Sequence, residues 1–313
     1  MLRIITKHRK TNFLSPSGLR CLANLPTVNI STGCVHNCVY CYTKGYSVYP
    51  GDNSIEIYED MAERIADEIK RKRKKPTAVY FCPSCDPFQP ILQIQQVSFD
   101  VMKTLLENDI GVQFVTKGII PDEIFGLFEK YRSKIASQIG LTAIDDEITN
   151  TIEPAAAKPQ ERLEQLERLI KIRIKMSVRC DPLIHNVTDS DEQLRDLFLA
   201  VSKTRCKEIA VSFLFLRPAI ISSLKKNITN MEMLNKILEP FSKGINLPIG
   251  LKNSTGKMLP LEVRISNIER IKKIANNFGI RIHICGCKNS DITNENCCIT
   301  RELENPPGRL FSD

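Results

Sequence analysis

The 313-residue chain has no tryptophan, and aromatic residues make up only 6% of it. It therefore advertises no platform for stacking single-stranded bases. No apolar run approaches the ~20 residues needed to span a bilayer. Met1–Lys10 (MLRIITKHRK) lacks the apolar stretch of a secretory signal. Internal repeats and low-complexity tracts are absent. Charge is not one-sided either: 44 Lys and Arg against 36 Asp and Glu leave a formal +8, with pI ≈ 8.8. That surplus permits a nucleic-acid partner without demanding one. Hydrophobic residues at 42% and charged residues at 26% are ordinary globular values, which excludes a disordered chain, a fibrous repeat and a coiled coil.

Cysteine is what the chain has in excess, with 12 residues. Without a signal or a membrane span, the expected compartment is the cytoplasm, where thiols stay reduced. Many cysteines there point to metal binding or catalysis rather than to disulfides.

Apolar β-rich runs alternate with helical patterns. Strands are expected at Thr27–Thr32, Thr77–Cys82, Gly111–Lys117, Gln138–Ala143, Arg173–Cys180 and Glu208–Phe215. Helices are expected at Ile55–Lys75, Gln93–Asn108, Pro121–Arg132, Pro159–Lys171 and Ser190–Lys203. Strict alternation implies parallel βα units with right-handed crossovers, and six in a row predict an α/β fold built on a partial (β/α)6 barrel. Reactive groups then belong at the C-terminal ends of the strands. The expected division is an N-terminal arm (1–26), the barrel core (27–217), a helical insertion or lid with the last helix (218–279), and a Cys-rich tail (280–313) with an auxiliary metal site.

The strongest local signal is Gly33-Cys34-Val35-His36-Asn37-Cys38-Val39-Tyr40-Cys41-Tyr42, just after the first expected strand. Three thiolates within eight residues can converge on one small object. They are one short of the usual four for zinc or an iron–sulfur cluster. A 4Fe–4S cluster held this way keeps one iron open; a zinc knuckle completed by His36 or a distant group is the competing reading. C-x3-C-x2-C with an aromatic before the third cysteine resembles the radical SAM superfamily. With CDPFQPI, VTKG and IEPAAAKPQERLEQLERL further on, residues Thr27 to Arg217 resemble its spore photoproduct lyase-like branch.

That resemblance implies a 4Fe–4S cluster on Cys34, Cys38 and Cys41. S-adenosylmethionine (SAM) sits on the open iron and Tyr40 against the adenine, and an electron donor such as flavodoxin or ferredoxin serves the cluster. It implies cofactor contacts from Ser84, Lys117 and Thr142, and a hydrogen-donating thiol at Cys82, with Cys85 its rival in a shifted register. Glu153 is marked without a role. Arg179 ends a strand where a charge needs a partner, either a cofactor or the neighbouring Asp181. Cys285, Gly286 and Cys287, then Cys297 and Cys298, predict an auxiliary iron–sulfur cluster, with zinc as the alternative. This tail departs from the spore lyases and puts their repair activity in doubt here.

Lys70–Lys75 (KRKRKK) ends a helix before a strand, so it is expected on the barrel face away from the chemistry. The expected function is hydrogen abstraction from a peptide, a nucleoside or another small molecule. The alternatives are a DNA repair lyase like the spore enzyme and a zinc-stabilised, non-enzymatic binding protein.

Overall fold

A computed structural model of the chain describes residues 2–18, 22, 25–249, 254–295 and 297. The N-terminal segment contributes β1 (Arg3–Lys7) and the two-residue β2 (Ser15–Pro16). The expected strand at Thr27–Thr32 divides into β3 (Pro26–Val28) and β4 (Ser31–Thr32), which join different sheets. Asn29 lies at the break, where its side-chain oxygen accepts from the backbone N–H of Ser84.

Ile55–Lys75 is not one helix: β5 (Ser54–Tyr58) is followed by α1 (Met61–Arg71). The reason is a change of period. Ile55 and Ile57 are buried in strand alternation, whereas Met61, Ile65 and Ile69 are buried at helical spacing. β5 pairs parallel with β1 and antiparallel with β4 in a small sheet. Most of the KRKRKK run is exposed at the end of α1, ahead of the next core strand, as expected.

Strand and helix then alternate through β6 (Ala78–Phe81), α2 (Leu92–Glu107), β7 (Gly111–Thr116), α3 (Asp122–Lys130) and β8 (Ile135–Gly140). They continue through α4 (Asp146–Ile152), α5 (Pro159–Lys171), β9 (Lys175–Leu183), α6 (Asp191–Lys203) and β10 (Glu208–Phe213). β3, β6, β7, β8, β9 and β10 stand side by side and parallel in chain order, with β2 antiparallel at the edge. This is the predicted α/β architecture. The helix α4 was not foreseen; Asp145 caps it by accepting from the N–H of Ile148.

The segment after β10 carries α7 (Pro218–Asn227) and α8 (Met231–Leu238), then a hairpin of β11 (Ile245–Pro248) and β12 (Thr255–Met258) where only helical patterns were read. α9 (Leu261–Asn276) and β13 (Arg281–Ile284) follow. β13 pairs parallel with β10, so the Cys-rich tail begins inside the core sheet.

Alternation gives the sheet two faces. On the helix-covered face, Phe114 meets Phe88 edge-on at 5.2 Å and stacks on Phe128 at 5.4 Å. On the other, Ala78 and Tyr80 of β6 and Ala210 of β10 form one cluster with Leu22, Leu25, Cys285, Cys287 and Cys297. β6 and β10 are four places apart in the sheet, so this face is concave and the tail fills it. Among the described residues, no helix is long and apolar enough to cross a membrane.

Candidate active site at the strand C-terminal ends

β4 enters the first cysteine loop through Gly33, whose φ is +83°. A Cβ there would lie 2.4 Å from the Ser54 carbonyl oxygen. A Gly33→Ala chain therefore has to push the loop off β5. Iron and sulfide bound after anaerobic reconstitution are expected to drop severalfold, with the far-ultraviolet circular dichroism unchanged.

Beyond Gly33 the loop is held by its backbone. Val35 N–H donates to the side-chain oxygen of fully buried Gln89 at 2.8 Å. Val39 N–H donates to the Ile152 carbonyl at 3.0 Å. Asn37 takes a left-handed turn and accepts from Lys44 Nζ at 2.9 Å. Cys34, Cys38 and Cys41 are all partly exposed. Burial, Asp86 and the neighbouring Cys38 and Cys41 push the Cys34 thiol well up, and burial pushes that of Cys38 up to about 12. Such thiols become thiolates when a metal displaces their protons.

His36 is the loop's one other soft donor, and it is turned away. It is 2% exposed, with Nδ1 3.0 Å from the Ala155 carbonyl and Nε2 facing the Asp86 carboxylate at 3.4 Å. Asp86 in turn accepts from Phe88 N–H, Thr116 Oγ1 and Lys117 N–H at 2.9, 2.8 and 2.7 Å. The loop thus offers three thiols and no fourth ligand of its own.

Behind the loop lies a charge network centred on Glu153. Its Oε1 accepts from the Tyr40 hydroxyl and from Thr142 Oγ1 (3.0 Å), and its Oε2 from Arg162 Nη1 at 2.5 Å. Lys117 Nζ lies 3.3 Å from Glu153 and donates to the Tyr40 hydroxyl at 2.8 Å. Burial pushes the Glu153 carboxyl up, but Lys117, Arg162 and Tyr40 outweigh it and hold it at about 2. Tyr40, Lys117 and Thr142, singled out separately in the sequence, therefore meet on one residue that had no assigned role. Arg162 was missed. Its only signal is its place in α5, four and seven residues before Leu166 and Leu169 on the buried stripe.

Ser84 sits in the turn over the loop, where its neighbour Pro83 accepts from the Tyr42 hydroxyl. Cys82 has φ +54° and is 3% exposed. Its thiol hydrogen-bonds that of half-buried Cys85, which also receives the Ser31 N–H. The Cys82 thiol is pushed well up by burial and by Cys85, while the Cys82 hydrogen bond pulls Cys85 down. Arg179 clamps Asp181 Oδ2 through Nε and Nη2 at 3.1 and 2.8 Å, and its Nη1 lies 3.4 Å from the sulfur of Cys297. Cys298 lies outside the described residues.

The sequence profile of the Radical SAM superfamily matches residues 28–198, more than half of the chain. The chain belongs to the radical SAM superfamily. Relatives are distant. The uncharacterized protein ORF301 of Acidianus two-tailed virus is 23% identical over 167 residues, covering 50% of this chain and 55% of that protein. The radical SAM Nalpha-GlyT isomerase of Pseudomonas phage M6 is 22% identical over 198 residues, covering 62% of this chain and 41% of the isomerase. Among solved structures, a mutant spore photoproduct lyase with bound AdoMet and dinucleoside spore photoproduct superposes with a TM-score of 0.68. It is 14% identical, with 89% of this chain and 81% of the lyase covered. A radical SAM methyltransferase from Sphaerobacter thermophilus gives a TM-score of 0.51 at 15% identity, covering 83% of this chain and 66% of that one. At these identities the likeness is one of fold. Radical SAM membership implies a 4Fe–4S cluster and SAM, and three soft donors without a fourth fit a cluster with one open iron.

Proposed function

We propose that this radical SAM protein cleaves SAM reductively and uses the resulting 5′-deoxyadenosyl radical to take a hydrogen atom from a peptide, a nucleoside or another small molecule. Cys34, Cys38 and Cys41 hold the cluster in this reading. The cofactor supplies the homolytic chemistry, and the protein supplies binding and orientation. Lys117 and Thr142, fixed by Glu153, take the SAM carboxylate, while Tyr40 and Ser84 border the cofactor. The Cys82–Cys85 pair returns a hydrogen atom to the product, Cys85 being the more exposed thiol. A small electron carrier such as flavodoxin or ferredoxin supplies the electron. An auxiliary iron–sulfur centre in the tail completes the reading.

The observation that carries it is a short loop that carries three thiols while its only histidine faces elsewhere. The same observation speaks against a zinc knuckle closed by His36. The test is anaerobic incubation of iron-loaded protein with SAM and dithionite. 5′-Deoxyadenosine and methionine are the expected products, and their absence from fully loaded protein would sink the reading. The likeness to spore photoproduct lyase favours a second reading, repair of damaged DNA. UV-irradiated DNA in the same incubation decides it: repaired thymine supports that reading, and SAM cleavage without repair excludes it.

A further inference from the structure

The concave face of the barrel holds a second group of thiols. Cys285, Cys287 and Cys297 are 2%, 7% and 4% exposed, and the Cys285 thiol hydrogen-bonds both of the others. All three are free. Their loop is closely built. Lys288 and Asn289 N–H groups both donate to the Cys285 carbonyl, and Gly286 N–H donates to that of Glu295. A Cβ on Gly286 would lie 2.7 Å from the Glu295 carbonyl oxygen, so the turn between the two cysteines needs glycine.

Two cations converge on this loop. Arg179 Nη1 lies 3.4 Å from Cys297 Sγ, and Lys288 Nζ lies 2.5 Å from Asp181 Oδ1, whose other oxygen Arg179 holds. Gln138 Nε2 donates to the Cys297 carbonyl at 3.1 Å. Nearby, Gln113 is 0% exposed, and neither its side-chain nitrogen nor its oxygen has a hydrogen-bond partner among the described residues. It shares a face of β7 with Val115, which packs against the cluster that contains the three thiols. An orphaned buried amide of this kind calls for an unseen partner.

We infer that Cys285, Cys287 and Cys297 ligate a second iron–sulfur centre inside the barrel, and that Arg179 and Lys288 compensate the charge of its thiolates. This rests on the proposed function only for the auxiliary centre it includes; its position inside the barrel and the roles of Arg179 and Lys288 are added here. Three ligands come from the described residues. Iron is favoured over zinc by what already fastens the tail. β13 is laddered to β10, Lys288 is tied to Asp181, and fully buried Arg264 is tied to Asp291. A purely structural ion has little left to hold. The position also suits a redox centre: the Asp181 carbonyl lies 3.5 Å from Lys117 Nζ, which meets Tyr40 at the first loop. Arg179 accordingly serves the tail thiols rather than SAM.

The experiment uses the full chain carrying Cys34→Ala, Cys38→Ala and Cys41→Ala, reconstituted under anoxia with ferrous iron and sulfide. Roughly half of the wild-type iron and sulfide should remain, with iron–sulfur absorbance, since one of two centres is intact. Adding Cys285→Ala, Cys287→Ala and Cys297→Ala should remove the remainder. Iron that survives this second set, zinc in its place, or no metal in the first variant overturns the assignment. Should either variant fail to fold, iron per wild-type chain decides, because one cluster's worth contradicts two centres. In the first variant, Arg179→Gln should shift the electron paramagnetic resonance signal of the reduced centre at retained iron; an unmoved signal removes Arg179 from the role. The two proposals fail separately: wild-type protein that binds both centres' iron but leaves SAM intact refutes the function and leaves the second centre standing.

Discussion

A Cys38→Ala chain, reconstituted anaerobically with iron and sulfide, is expected to form no 5′-deoxyadenosine from SAM, with activity at the limit of detection. Cys38 is the middle one of the three proposed ligands, and the remaining two thiolates cannot hold a cluster built on three. No neighbouring donor can replace it. His36 is anchored to Ala155 and Asp86, and the Cys82 and Cys85 thiols bond each other beside the Ile30–Ser31 backbone. The fold should survive, because Cys38 is only partly buried against the edge of the core and alanine removes a single sulfur there. Circular dichroism and the unfolding midpoint check this. Cys206→Ala is a matched control: this buried thiol faces the Glu208 carbonyl, far from any proposed ligand in the sequence, and its loss should leave SAM cleavage intact. Undiminished cleavage by the Cys38→Ala chain would remove that thiol from the cluster.

The largest stability effect is expected at Glu153. Its side chain is fully buried between Arg162, at 1% exposure, and Lys117. Glu153→Ala leaves the Arg162 guanidinium in the core with only the Ala157 and Gly140 carbonyls. Breaking a buried pair from one side costs about 3–5 kcal/mol. In a chain of this size that lowers the unfolding midpoint by roughly 10 °C. Replacing both charges by apolar groups, Glu153→Leu with Arg162→Met, should recover part of the loss, because no unpaired charge remains. Equal midpoints for the single variant and the wild type would mean that the network holds nothing in place. Because the same carboxylate anchors Tyr40 and Thr142, the single variant should also bind SAM more weakly, which equilibrium dialysis reads directly.

The pattern of apolar residues made the parallel core legible because each strand from β6 to β10 is a short apolar run between helices of clear periodicity. It misled at Ile55–Tyr58, where only two alternating isoleucines mark a strand, too few to outweigh the helix that follows. It missed the break at Asn29, since a strand that passes from one sheet to another leaves no trace in hydrophobicity. The cysteine loop stood out because its ligands are local. The network behind it did not, because Glu153 ends α4, Arg162 lies within α5 and Lys117 follows β7, and the three meet only in the folded chain. Arg179 was noticed as a charge ending an apolar strand, but β9 runs on to Leu183, which puts Arg179 in mid-strand with Asp181 two residues on as its ion-pair partner. Its second partner, Cys297, lies 118 residues away, beyond any local pattern.

β13 gives the C-terminal region a duty apart from any metal. Its ladder covers the outer rim of β10, whose N–H and C=O groups would otherwise face solvent as a ready template for another chain. A fragment trimmed to the six-strand core would bare that rim and the apolar hollow together, and so would be prone to self-association.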